Sequence, residues 1–83
     1  MRGLTKRELR AFKRSINESN LDRKKLRIIV DCKGYDGFYL LGLTCLDGVI
    51  NQRICMPFKD APSVNKIMTQ LKHITPSVSP AMV

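Results

Sequence analysis

The spacing of apolar residues changes period along the chain, and each change marks an element. Leu9, Phe12 and Ile16 recur at three- and four-residue intervals with Ala11 between them, which is the narrow apolar stripe of an amphipathic helix. Its start is written into the sequence. Thr5 and Glu8 have the spacing of a capping box, and Leu4 and Leu9 that of a hydrophobic staple. Ser19 and Asn20 break the periodicity, so the helix is expected over residues 5–19, followed by a basic connector or short helical turn from Leu21 to Lys25.

From Leu26 onward the period falls to two. Segments 26–33, 38–46 and 49–57 read as strands, separated by the turn chemistry of Gly34-Tyr35-Asp36-Gly37 and of Asp47-Gly48. Closing both turns as written aligns Val30 with Leu41 and Ile54, Ile28 with Leu43 and Gln52, and Cys32 with Tyr39 and Met56. Those rows share one almost wholly apolar face. The opposite face mixes Arg27, Thr44, Asn51 and Arg53 toward one end with Ile29, Phe38 and Leu40 toward the other.

A second helix is expected over 61–74. Asp60 is its expected cap, Pro62 suits its first turn, and Val64, Ile67, Met68 and Leu71 make its apolar stripe. Residues 75–83, with Pro76 and Pro80, read as a flexible tail. The expectation is a single small α+β domain over residues 1–74, α-β-β-β-α, with a three-stranded antiparallel meander and two amphipathic helices.

Composition narrows what such a domain can do. At 83 residues the chain has room for one modest core and none for a large enzyme fold. No apolar run is long enough to span a bilayer, and three cysteines without paired spacing suit a reducing compartment, so a soluble, cytoplasmic protein without a membrane partner is expected. The formal net charge is +8, and it is unevenly placed. Residues 1–27 hold ten basic and three acidic side chains, a net +7, while residues 28–83 are almost neutral at +1. Such asymmetry marks a surface for a polyanion.

Cys32, Cys45, Cys55 and His73 lack the short Cys spacing of a zinc site, and the aligned strands keep Cys32 and Cys45 about 20 Å apart. No metal or cofactor is expected. There is no Gly-rich phosphate loop, no carboxylate cluster and no His near a nucleophile in sequence, so an enzyme is not expected either.

The element order resembles two nucleic-acid-binding architectures, the double-stranded-RNA-binding domain and the three-stranded sheet plus helix of integrase arm-binding and AP2-type domains. The Lys-rich helix start of the former is replaced here by Asp60-Ala61-Pro62-Ser63. The leading expectation is a non-catalytic nucleic-acid-binding protein, for duplex DNA ahead of RNA. Lys6, Arg7, Arg10, Lys13, Arg14, Lys24 and Lys25 would hold phosphates, and Arg27, Asn51 and Arg53 have the side chains that read base edges. The alternative is a small regulator or inhibitor of phage or mobile-element type, docking on an acidic host-protein surface by its basic helix and the apolar patch at Ile29, Phe38 and Leu40. If both helices cover the same sheet face, that patch suggests a homodimer or partner interface.

Overall fold

A computed structural model describes residues 1–81. The chain is a two-layer α+β domain: α1 (Lys6–Glu18), β1 (Arg27–Tyr35), β2 (Phe38–Leu46), β3 (Asn51–Phe58), α2 (Val64–Leu71) and a short β4 (Val78–Pro80). The sheet is mixed, in the order β3-β2-β1-β4.

The α1 start forms as its sequence dictates. The Thr5 hydroxyl accepts from the Glu8 N–H at 3.1 Å, and the Glu8 carboxylate accepts from the Thr5 N–H at 2.8 Å. A cap of this kind is worth about 1 kcal/mol. Asn20, in the left-handed region at φ 56°, ends the helix. Phe12 and Ile16 are buried, each contributing about 1.5–3 kcal/mol of apolar burial. They join one core with Ile28 and Val30 of β1, Leu41, Leu43 and Cys45 of β2, and Ile67 and Leu71 of α2. Both helices therefore lie on the same sheet face, and none of the described residues covers the other.

The meander has the expected strands and faces, but β2 slides by two residues. Asp36 and Gly37 alone make the first turn, with Gly37 at φ 86°, so Tyr35 pairs with Phe38. The second turn is wider than Asp47-Gly48. The Asp47 carboxylate accepts from the N–H of Val49 (2.9 Å) and Ile50 (2.7 Å), and the Asp47 N–H donates to the Ile50 carbonyl at 3.2 Å, so Leu46 pairs with Asn51. The observed rows are Val30–Leu43–Ile54, Ile28–Cys45–Gln52 and Cys32–Leu41–Met56. The shifts at the two turns cancel between β1 and β3. Since side chains alternate with period two, a two-residue slide leaves each on its expected face.

The C-terminal segment is the larger correction. Residues 75–80 are not a flexible tail: they add β4 parallel to β1, pairing Ile28 with Val78 and Val30 with Pro80. The Thr75 hydroxyl, buried, donates to the Leu26 carbonyl at 2.9 Å; the Ile28 N–H donates to the Ser77 carbonyl and the Ala81 N–H to the Val30 carbonyl. Proline is tolerated here because β4 is an edge strand. Residues 82 and 83 of the expected tail lie outside the described residues. The α2 cap is also corrected, from Asp60 to Ser63, whose hydroxyl accepts from the Lys66 N–H.

The segment before α1 is held by α2. The Gln70 carboxamide accepts from the Leu4 N–H at 2.7 Å and donates to the Leu4 carbonyl at 2.8 Å, while the Ser63 N–H donates to the Arg2 carbonyl. No helix among the described residues is long and apolar enough to cross a membrane.

Candidate nucleic-acid interface

The core-facing stripe of α1 fixes what its outer surface presents. With Phe12 and Ile16 buried, Lys6, Arg7, Arg10, Lys13 and Arg14 all face solvent. Among the described residues none of the five pairs with a carboxylate, the ion pairs being Arg2 with Glu8 (2.6 Å) and Arg53 with Asp31 (3.0 Å). Arg10 and Arg14 lie one turn apart, so their charges reinforce one another toward solvent. Exposed like charges held on a rigid backbone form an attractive field for a polyanion.

Lys24 and Lys25 extend this surface beyond the end of α1. Their turn is fixed from within: Leu21 is buried, the Lys24 N–H donates to the Asp22 carboxylate, the Lys25 N–H donates to the Asp22 carbonyl, and the Asp22 N–H donates to the Asp47 carboxylate at 3.1 Å. Arg23 is a further cation of this turn, its guanidinium donating to the Asn17 side-chain amide oxygen at 2.6 Å. Its place among ten basic residues in the first third and a short turn there were readable, but the bond to Asn17 that seats it beside α1 was not.

Arg27, Asn51 and Arg53 are elsewhere. They lie on the uncovered sheet face, behind the sheet as seen from α1, so the expected site residues form two groups on opposite sides of the molecule. Arg53 is engaged within that face. Its guanidinium donates to both Asp31 carboxylate oxygens, at 3.0 and 3.1 Å, and to the Thr44 hydroxyl at 3.2 Å. The pair crosses diagonally over Gly42, and any β-carbon at position 42 would overlap both side chains. This ion pair raises the Arg53 pKa further, foremost through the hydrogen bond to Asp31. Arg2 is withdrawn in the same way: it pairs with Glu8, whose carboxyl it holds below the usual range, and its guanidinium lies 4.1 Å from the centre of the Phe58 ring.

Tyr35 and Phe38 stack on each other across the first turn, ring centres 5.1 Å apart, near Leu40. The cysteines are free and divided between faces: Cys32 and Cys45 toward the core, Cys55 on the open face. Burial pushes the Cys45 thiol up to about 11, where it is protonated and inert at neutral pH.

Comparisons with protein-family models, curated proteins and solved structures found no match.

Proposed function

We propose that this chain is a non-catalytic nucleic-acid-binding protein that holds duplex DNA by phosphate contacts along the outer face of α1. The observation that carries the reading is the row of five solvent-facing basic residues, unpaired with any carboxylate among the described residues, on a helix whose opposite side is locked into the core. Lys24 and Lys25 prolong the contact. Phosphate binding of this kind fixes position on a duplex and reads little sequence. Base readout from the sheet is no part of this proposal, because Arg53 is bound to Asp31 and Thr44 and because Arg27 and Asn51 face away from α1. The three free cysteines support a reducing, cytoplasmic setting for the same reading.

Fluorescence anisotropy of a labelled duplex tests it. Changing Arg10 and Arg14 together to Ala weakens binding about tenfold or more at fixed salt, whereas changing Arg27 and Asn51 to Ala leaves it nearly unchanged. The reverse order of effects, or no binding of the unaltered protein at low salt, overturns the proposal.

A second reading, a small regulator docked on a host protein, draws support from Tyr35, Phe38 and Leu40 on the uncovered sheet face; Ile29 is not part of that patch, because the slide of β2 sets it beside Thr44 and Arg53. A stoichiometric protein band on purification, in place of nuclease-sensitive absorbance at 260 nm, would favour it.

A further inference from the structure

The two edges of the sheet are unequal. At one end β4 is three residues long and contains Pro80. At the other, β3 runs for eight residues with no strand beyond it among the described residues. Backbone groups alternate in direction along a strand, and the Ile50 carbonyl already points inward to accept from Asp47. Gln52, Ile54, Met56 and Phe58 therefore bond to β2, and Asn51, Arg53, Cys55 and Pro57 turn their backbone groups outward. Pro57, which has no N–H to offer, occupies one of the outward positions, as an edge requires. Arg53 and Cys55 keep free donors and acceptors, the template for another strand.

A groove runs beside this edge. It has a volume of about 410 Å³ and lies between α1 and β3, with Ala11, Phe12, Ile54 and Met56 as its apolar floor; Arg7 and Glu8 both line it, and the Glu8 charge is already met by Arg2. Ile54 and Met56 stand on the helix-covered side of the sheet yet remain only half-buried, so α1 leaves apolar surface open there. Arg14, seven residues and about two turns beyond Arg7, lies on the same side of α1, past the lining of the groove.

We propose that the free edge of β3 and this groove bind an extended acidic peptide segment of a partner protein by strand addition. The peptide backbone pairs with Arg53 and Cys55, an apolar side chain enters the groove over Ile54 and Met56, and flanking carboxylates meet Arg7 and Arg14. Charge selects this occupant over a second copy of the chain. Two-fold pairing of β3 with β3 would set the Arg7 and Arg14 side chains of two α1 helices against each other across the axis.

The test uses a fluorescein-labelled peptide of repeating Glu-Thr-Val-Thr, which places glutamate and valine alternately on one side of a strand. Anisotropy is read together with amide hydrogen exchange on the full chain. Binding is saturable, and the fast-exchanging amides of Arg53 and Cys55 become protected. N-methylation of the peptide backbone at the pairing amides weakens binding about tenfold, as loss of the ladder hydrogen bonds demands. Cys55→Pro does the same by removing the outward N–H; the backbone-methylated peptide gives the equivalent result without altering the protein. Lysine in place of glutamate abolishes binding.

Four results overturn the proposal: no saturable binding; binding that N-methylation leaves intact; protection of Arg53 and Cys55 that grows with protein concentration alone, which assigns the edge to a second copy; or protection of those amides by duplex DNA. Duplex affinity is measured on the same samples and is unaffected by Cys55→Pro. The peptide proposal and the DNA proposal therefore fail separately.

Discussion

At the scale of single residues, one aspartate gathers three backbone N–H groups from two parts of the chain. The carboxylate of Asp47 accepts from the backbone N–H groups of Ile50 and Val49 in its own turn and of Asp22 in the connector. Those N–H groups, that of Ile50 foremost, hold its carboxyl below the usual carboxylate range. A carboxyl with a lowered native pKa stabilises the fold fully above about pH 4, where the unfolded aspartate is ionised, and loses that contribution as pH falls through the native value. Asp47→Asn keeps the size and one acceptor oxygen but lacks the charge. Its urea midpoint is expected below that of the unaltered protein at pH 7, with the gap narrowing by pH 3. An equal gap at both values would show that the charge contributes nothing. Glu8, lowered by Arg2, follows the same sign and adds to the acid sensitivity.

At the scale of elements, the helix and strand patterns were legible where a local rule decides them. The Thr5–Glu8 box, the Leu9–Phe12–Ile16 stripe and the alternation through β1 to β3 each follow from neighbours a few residues away. The register of β2 was not, because the width of the second turn depends on how many N–H groups the Asp47 side chain gathers. Nor was β4. Val78–Pro80 has two prolines nearby and no alternation long enough to read; it becomes a strand because β1 offers an unpaired edge and Thr75 anchors the chain beside it. Removing that anchor tests the element. Thr75→Val keeps the shape but leaves the Leu26 carbonyl without its donor, and is expected to cost about 1–3 kcal/mol in chemical denaturation. Amide exchange at Ile28, whose N–H bonds to Ser77, should speed up with it. Unchanged stability and exchange would mean that β4 docks without Thr75.

At the scale of the whole molecule, folding sorts the charge. The excess of the first third does not surround the domain: Arg2 is paired with Glu8, Arg27 faces the far side of the sheet, and what remains is gathered on α1 and the turn after it. The candidate site was legible to that extent, since a capped helix with one apolar stripe must show its cations to solvent. The split between α1 and the sheet-face residues Arg27, Asn51 and Arg53 was not legible, because it depends on both helices choosing the same face. A surface that binds DNA by phosphates alone carries a quantitative signature in salt. If five of the seven cations of α1 and its following turn, Arg10 and Arg14 among them, each neutralise one phosphate, the logarithm of the binding constant falls against that of salt concentration with a slope of about −4.5, and with Arg10 and Arg14 both changed to Ala the slope is about −2.7. The deciding measurement is that pair of salt titrations on one duplex. Both slopes as stated support α1 as the interface, and a slope near zero, or one that the two substitutions leave unchanged, contradicts it.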